Sequence, residues 1–286
     1  MNLQLRHPRG ALDLSQPVVM GILNVTPDSF SDGGRYVDPE RAFEHAQRMI
    51  EEGAAIIDIG GESTRPGANA VDAAEELRRV LPLVQRLASR SAALISVDTS
   101  EPVVMRAVID AGAGMINDVR ALQRPGALRA AADTQAAVCL MHMQRDPATM
   151  QQQPQYRQVV TEVRAWLATR VRAAGEAGVA SDRLCVDPGF GFGKSLEHNL
   201  RLLGSLQQIA ADGPPVLVGL SRKSMLQALT GREVGERGAG SVALAALAVM
   251  YGARIVRAHD VAATVDAVRV AGALAAVPAQ EREGDT

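Results

Sequence analysis

Ala92-Ala-Leu-Ile-Ser-Val-Asp98 is an almost wholly apolar run that ends abruptly on a carboxylate. Short runs of this kind, rich in Val and Ile and without strict alternation, are typical of parallel strands buried on both faces. The chain contains eight such runs, and one of them, from Ala54 to Gly60, leads into the loop Gly60-Gly-Glu-Ser-Thr-Arg65. The other seven end on Asn24, Asp98, Asn117, His142, Asp187, Ser221 and Arg257.

Helix patterns separate these runs. Asp38-Pro39-Glu40 offers an N-cap and a first-turn proline, and Asp72 with Glu75 three residues later resembles a capping box. The strand ends are spaced by a mean of about 33 residues, the length of one βα unit. Eight strand-then-helix repeats predict an α/β fold, a single-domain (β/α)8 TIM barrel over residues 1–277, rather than a doubly wound sheet. The polar segment 278–286 predicts a disordered tail.

Composition restricts the partners and the location. A net charge of −2 and a content of only four Phe, three Tyr and one Trp argue against a nucleic-acid partner, which needs basic surfaces or stacking platforms. The start of the chain lacks a signal-peptide pattern, and the apolar stretch from Val242 to Met250 is too short to span a membrane. We therefore expect a cytoplasmic protein that binds small molecules. Cys139 and Cys185 fall inside predicted strands, which favours buried structural thiols.

The polar strand ends form the candidate site, because the active site of a (β/α)8 barrel lies at the carboxyl ends of its strands. Asp98 and Asp187 can accept hydrogen bonds from paired N–H groups of a flat heterocycle, and Asn117 and Lys223 can serve ring nitrogens and a carbonyl. A second set suits a polyanion, since it offers an oxygen for a hard metal and several donors for phosphate oxygens. Its members are Asn24, Thr64, Arg65, Arg257 and His259. Any single Asp or Asn at a strand end can instead cap the next helix.

The segment Asp187-Pro-Gly-Phe-Gly-Phe-Gly-Lys-Ser195 has the composition of a nucleotide-binding loop but not its spacing. A Walker A loop ending at Ser195 would need glycine where the chain has Pro188, and the third glycine of a Rossmann turn would come one residue early. We interpret the segment as a βα loop in which Phe190 or Phe192 faces an aromatic substrate. His142, between two methionines, is interpreted as a core residue and is not placed in the catalytic set.

Seven segments, in order through almost the whole chain, carry a resemblance to a known family. They are Gly21-Ile-Leu-Asn-Val-Thr-Pro-Asp-Ser-Phe-Ser-Asp-Gly-Gly34, Gly60-Gly-Glu-Ser-Thr-Arg-Pro-Gly67, Ile95-Ser-Val-Asp-Thr99, Ile116-Asn-Asp118, Asp187-Pro-Gly-Phe-Gly-Phe-Gly-Lys194, Ser221-Arg-Lys-Ser224 and Arg257-Ala-His-Asp260. By these motifs the sequence resembles the dihydropteroate synthase family. The resemblance implies a transferase that joins 6-hydroxymethyl-7,8-dihydropterin diphosphate to 4-aminobenzoate, with Mg2+ as cofactor and sulfonamides as competitors. It also implies a homodimer.

The resemblance further implies a role for each matching residue. Asn24 would ligate Mg2+ together with the diphosphate. The diphosphate side would be contacted by Thr64, Arg257 and His259. The pterin would be held by Asp98, Asn117, Asp187 and Lys223. Phe30, Arg65, Pro66, Phe192 and Ser221 would lie near the 4-aminobenzoate and in the closing loops, and the catalytic set would be Asn24, Lys223, Arg257 and His259.

Two other functions remain open from the sequence. A pterin-binding barrel that passes a methyl group from a reduced folate to a corrinoid partner would share Asp98, Asn117 and Asp187, but it does not need the diphosphate set. A non-catalytic paralogue would bind pterin without turnover. Against this second alternative stand the intact residues Asn24, Arg65, Lys223 and His259.

Overall fold

The computed structural model describes residues 3–25, 39–62, 71–145, 150, 154–211 and 213–277. Eight parallel strands form a closed barrel in chain order, and the last strand pairs with the first. This architecture confirms the predicted (β/α)8 barrel. In chain order the strands are β1 (Gln4–His7), β2 (Gly10–Asp13), and the barrel strands β3 (Val18–Asn24), β4 (Ile56–Gly60), β5 (Leu94–Asp98), β6 (Met115–Asp118), β7 (Ala137–Met141), β8 (Leu184–Asp187), β9 (Val216–Gly219) and β10 (Ala253–Ala258).

Two of the described helices begin at residues whose side chains cap them. The Asp72 carboxylate accepts a hydrogen bond from the backbone N–H of Glu75 at 2.8 Å, and Ser195 forms a reciprocal capping box with His198. Such caps satisfy N–H groups that have no partner inside the helix. The helices are α1 (Pro39–Glu51), α2 (Ala73–Arg90), α3 (Pro102–Asp110), α4 (Ala127–Thr134), α5 (Val159–Glu176), α6 (Leu196–Gly204), α7 (Leu206–Ala210), α8 (Ser224–Thr230), α9 (Gly238–Met250) and α10 (Val261–Ala276).

A short antiparallel hairpin, β1–β2, precedes the barrel. Its Leu5, together with Leu14 just after it, is fully buried in a cluster that includes Met20, Ile56 and Leu94 near the starts of the barrel strands. The hairpin therefore covers the amino-terminal end of the barrel, opposite the rim that holds the polar strand ends. The apolar-run pattern does not predict it, because neither Gln4–His7 nor Gly10–Asp13 is a continuous apolar run.

The barrel interior changes from apolar to polar along its axis. The lower cluster is apolar and includes Cys139 and Cys185, which are free and buried, as predicted. Toward the carboxyl ends, polar groups replace the apolar ones. The strand register then aligns Asn24, Gly60, Asp98 and Asn117 across four neighbouring strands. The polar strand ends thus share one rim.

The sequence predicts a disordered carboxyl-terminal tail and no membrane-spanning segment. Segment 278–286 lies outside the described residues, so its predicted disorder stays a prediction. Over the part of the chain that the structure describes, no helix combines the length and the apolar character needed to cross a membrane.

Candidate active site

A buried carboxylate, Asp58 of β4, holds the centre of the rim together. Its oxygens accept hydrogen bonds from Ser96 Oγ at 2.7 Å, Asn117 Nδ2 at 3.0 Å and Arg257 Nε at 2.6 Å. Asp58 is absent from the residues that the strand-end pattern predicts, because it lies inside a strand. The detectable signal is a charged residue within the apolar run Ile56–Gly60, since a buried charge requires a partner.

Asp98 lies at the end of β5 and faces the same arginine. Arg257 Nη2 donates to Asp98 Oδ2 at 3.4 Å. Burial raises the pKa of the Asp98 carboxyl, the negative charge of Asp58 raises it further, and Arg257 opposes both effects. A carboxyl with a raised pKa gains or loses its proton nearer neutral pH, so Asp98 is sensitive to the charges that surround it.

Asp187 and Lys223 form the opposite side of the rim. Asp187 Oδ1 accepts from the backbone N–H of Gly189 at 2.7 Å, while burial raises the pKa of its carboxyl. Burial also lowers the pKa of Lys223 to about 8, against the effect of Asp187. The Lys223 ammonium lies 4.1 Å from the centroid of the Phe192 ring, within the range of a cation–π interaction. Phe190 is instead buried in the core, so Phe192 is the ring that borders the rim.

Ser221 and His259 join the ends of β9 and β10. Ser221 Oγ lies 3.0 Å from His259 Nδ1 and accepts from the His259 backbone N–H at 3.3 Å. Burial, then the charge of Arg257, lowers the pKa of His259 to about 4. His259 is consequently neutral at pH 7. Next to this pair, Arg222 binds Asp260 at 2.5 Å and fixes the loop between β9 and α8.

The glycine-rich loop after β8 closes on a buried lysine. Lys194 Nζ lies 2.9 Å from His142 Nδ1 and donates to the backbone oxygens of Gly189 at 2.9 Å and Phe192 at 3.0 Å. Gly189 has a φ of +70°, and a Cβ on it would lie 1.9 Å from the His142 carbonyl oxygen. Only glycine fits this contact. The loop is therefore a tight turn anchored on β7.

His142 has a structural role in that anchor. Its side chain is buried, and burial followed by the charge of Lys194 lowers its pKa to about 3. The neutral ring accepts from Lys194 and packs edge-on against Trp166, with ring centroids 4.9 Å apart. These contacts agree with the interpretation of His142 as a satisfied core residue.

Asp118, next to Asn117 at the end of β6, has a local structural role in the loop that follows the strand. Its carboxylate accepts from Ser100 Oγ at 2.5 Å and from the backbone N–H groups of Arg120 at 2.8 Å and Leu122 at 2.7 Å. All these partners belong to neighbouring loops. Asp118 therefore shapes the turn after β6, whereas the adjacent Asn117 faces Asp58.

The structure brings together most of the predicted site residues at one end of the barrel. Those described are Asn24, Asp98, Asn117, Asp187, Phe192, Ser221, Lys223, Arg257 and His259. Phe30, Thr64, Arg65 and Pro66 lie outside the described residues, and their predicted roles stay predictions.

Comparison with known proteins assigns the class. Residues 20–259 match the family of pterin binding enzymes, a range that runs from β3 to just beyond β10. This match covers more than half of the chain and includes the whole polar rim. The barrel and the rim thus define a pterin-binding barrel enzyme.

Individual relatives give a finer assignment. The dihydropteroate synthase of Escherichia coli (strain K12) is 53% identical over 260 residues, 91% of this chain and 92% of that protein. The enzyme of Xanthomonas albilineans with 4-aminobenzoic acid has a TM-score of 0.91 at 53% identity, covering 97% of this chain and 100% of its own. Its structure with 7,8-dihydropteroate has a TM-score of 0.85 at 52% identity, covering 94% and 97%. The Yersinia pestis enzyme with a sulfonamide drug has a TM-score of 0.91 at 50% identity, covering 95% and 98%. The chain belongs to the dihydropteroate synthase family and is a transferase.

Proposed function

We propose that this chain joins the methylene carbon of (7,8-dihydropterin-6-yl)methyl diphosphate to the amino nitrogen of 4-aminobenzoate, forming 7,8-dihydropteroate and releasing diphosphate. The observation that carries this proposal is the convergence of two carboxylates, an amide and two cations at one buried end of the barrel. These groups are Asp98, Asp187, Asn117, Lys223 and Arg257. Relatives that hold 4-aminobenzoic acid and 7,8-dihydropteroate support the choice of substrates.

The pterin is held in this proposal by the two carboxylates and by the groups between them. Asp98 and Asp187 accept from the N–H groups of the heterocycle, and Lys223 donates to its ring oxygen or nitrogen. Each of these bonds is charge-assisted when the protein partner is ionised, which makes it stronger than a neutral hydrogen bond. Asp187 is buried and the Asp98 side chain is only 12% exposed, so little water competes for these carboxylates.

The diphosphate lies beside Arg257 and His259 in this proposal, with Thr64 as a further contact. Arg257 supplies a permanent cation, because its guanidinium cannot lose its proton in this range of pH. His259, with a pKa lowered to about 4 by burial and by Arg257, supplies a neutral N–H donor. Donors fixed in a dry site stabilise the charge that develops on the leaving oxygen.

Asn24 is the proposed protein ligand for Mg2+. Its side-chain oxygen lies at the polar rim, 3.5 Å from the position that a Cβ on Gly60 at the end of β4 would occupy. One amide oxygen fits Mg2+, which usually keeps several waters and binds through substrate phosphates with one or two protein ligands. When bound there, Mg2+ would neutralise charge on the diphosphate.

The bond changes require no strong protein base. The C–O bond to diphosphate breaks with its electrons passing to the leaving group, and the amine lone pair forms the new C–N bond. The aryl amine is neutral at pH 7 and already nucleophilic, and the proton it sheds passes to solvent or to the departing diphosphate. The rim groups bind and orient the reactants, so positioning and electrostatic stabilisation supply the acceleration.

The 4-aminobenzoate approaches from the side of Phe192 and Ser221 in this proposal. The Phe192 ring borders the rim and is fixed by Lys223, which offers an aromatic ring for stacking. Phe30, Arg65 and Pro66 are the further residues proposed to contact this substrate. Sulfonamides are expected to compete for the same position, a proposal supported by the relative that holds such a drug.

Assembly and location form a further part of the proposal. We propose a homodimer in the cytoplasm, with α9 and α10 at the subunit interface. These helices pack against each other and expose Leu247, Val270 and Leu274. Val270 and Leu274 are four residues apart and so lie on one face of α10, and an apolar helix face left exposed suits a subunit interface. Cell fractionation tests the location, and recovery of the enzyme with membranes would contradict it.

The reaction is tested by measuring diphosphate release from the pterin substrate with and without 4-aminobenzoate. We expect release that depends on 4-aminobenzoate and is matched by an equal amount of 7,8-dihydropteroate. Turnover that instead needed a methyl donor and a corrinoid partner would support the methyltransferase alternative. Tight pterin binding with no release under any condition would indicate a non-catalytic paralogue.

A further inference from the structure

Asp58 lies one layer below the rim and has no exposed surface (0%). Two of its three partners, Asn117 and Arg257, are residues proposed to bind substrate. The third, Ser96, is its neighbour on β5 and is paired with it in the strand register. A group in this position affects a ligand only through the side chains that it holds.

We infer that Asp58 is a positioning residue that sets the orientation of both the Arg257 guanidinium and the Asn117 amide. The inference rests on the proposed function, since it concerns how those two side chains meet the pterin diphosphate. It assigns to a buried strand residue a part of the specificity for the heterocycle.

Asp58 orients the Arg257 guanidinium because the two carboxylates bind different nitrogens of that group. Asp58 accepts from Nε at 2.6 Å, and Asp98 accepts from Nη2 at 3.4 Å. Two bonds from one planar guanidinium fix the plane of the group as well as its position. The remaining N–H bonds then point in set directions toward the rim.

The effect on Asn117 follows from its two unlike ends. Nδ2 donates to the Asp58 carboxylate at 3.0 Å, and the amide oxygen cannot take that place because it would face a negative charge. The Asn117 carbonyl oxygen must therefore point away from Asp58. This orientation makes the oxygen an acceptor, which favours a ligand that presents an N–H donor there and disfavours one that presents an unprotonated nitrogen.

Asp58 also acts on Asp98 through its charge. The raised pKa of Asp98 has burial as its first cause and the Asp58 carboxylate as its second. The titratable and charged groups that act on Asp98 are Asp58, Arg257, Asp118, Glu76 and Lys223. Removal of the Asp58 charge should therefore shift the titration of Asp98 to lower pH, an effect that a merely structural residue would not produce.

The test is Asp58→Asn, which keeps the shape and removes the charge. Calorimetry with the pterin diphosphate should show an affinity roughly 10- to 100-fold weaker, the loss expected for hydrogen bonds to a charged group. The pH midpoint of that binding should move to lower pH. At saturating pterin diphosphate, the KM for 4-aminobenzoate should change little. Asp133→Asn is the matched control, because it removes the same charge from an exposed position on α4 and should leave all three readouts unchanged.

Unchanged pterin affinity and an unchanged pH midpoint in folded Asp58→Asn would overturn the inference. If Asp58→Asn does not fold, Ser96→Ala provides the test, because it frees one carboxylate oxygen without removing the charge. It should weaken pterin binding in the same direction, and an unchanged affinity would then overturn the inference. Wild-type protein that releases no diphosphate would refute the proposed function itself. If the wild type is active and Asp58→Asn binds pterin diphosphate as the wild type does, only the role of Asp58 is refuted.

Discussion

Burial and the charge of Arg257 lower the pKa of His259 to about 4, so its ring is neutral at pH 7. Ser221 Oγ accepts from the His259 backbone N–H and lies 3.0 Å from His259 Nδ1, and we propose that its hydroxyl hydrogen is donated to Nδ1. Donation to Nδ1 places the ring proton on Nε2. The side chain therefore presents an N–H group to the rim, and diphosphate is an acceptor that matches it.

This tautomer predicts a difference between two amide replacements. The amide nitrogen of Gln reaches the position of Nε2, whereas that of Asn reaches only the position of Nδ1. We expect His259→Gln to keep more affinity for pterin diphosphate than His259→Asn, by about tenfold for one retained hydrogen bond. Calorimetry at pH 7 measures both values, and tighter binding by the Asn variant would show that Nδ1 carries the proton.

The strand-end pattern predicts most of the rim but not its support. Asp98, Asn117 and Asp187 are visible in the sequence because each one ends an apolar run. Asp58 is not, since its importance arises from Arg257, 199 residues away along the chain. A contact between residues so far apart in the sequence forms only when the barrel closes, and no local sequence pattern predicts it.

The loop between β8 and α6 shows how one buried group can order a whole element. The Lys194 ammonium bonds to Nδ1 and the backbone oxygen of His142 and to the backbone oxygens of Gly189 and Phe192. Burial lowers the pKa of Lys194 to about 7, from a model-peptide value of 10.5. The folded protein thus holds this proton less strongly than the unfolded chain does, and folding is linked to pH.

Lys194→Met tests this linkage. Between pH 7 and 10.5 the unfolded wild-type chain binds more protons at Lys194 than the folded protein does, so the contribution of Lys194 to stability rises with pH. The variant lacks this rise. The unfolding free energy of the wild type minus that of the variant should therefore increase with pH across that window, by up to about 1.4 kcal/mol per pH unit. Chemical denaturation at several pH values gives this difference, and a constant value from pH 7 upward would contradict the linkage.

The β1–β2 hairpin lies at the end of the barrel opposite the rim, so we expect it to contribute to stability and not to substrate binding. Leu5 is fully buried at the closed end of the barrel, so Leu5→Ala should cost about 2–5 kcal/mol of unfolding free energy. Pterin diphosphate affinity should stay unchanged, because the rim lies at the other end. Leu12, the half-buried partner of Leu5 across the hairpin, is the matched control, and its replacement by Ala should cost less. An equal cost at both positions would show that the hairpin does not seal the barrel.

The repetition of one βα unit explains why the fold can be predicted from the sequence. Each βα unit buries a strand on both faces, so each repeat carries the same apolar run, and eight repeats leave one plausible closure. When the barrel closes, the carboxyl ends of all eight strands lie on one rim, although no sequence pattern links distant strands. The hairpin and the exposed helix faces follow no repeat, and for that reason the sequence pattern gives no information about them.

The proposed homodimer makes the last prediction. Val270 and Leu274 lie one turn apart on α10 and are 71% and 52% exposed, and Leu247 on the adjacent α9 is 45% exposed. Burial of these side chains in a subunit interface removes apolar surface from water, while a buried unpaired carboxylate opposes association. We expect sedimentation equilibrium to show a dimer for the wild type and a monomer for Val270→Glu, with both unfolding cooperatively. Val103→Glu introduces the same charge at a similarly exposed position (61%) on α3, and it should remain dimeric. A dimeric Val270→Glu protein, or a dissociated Val103→Glu protein, would place the interface elsewhere on the barrel.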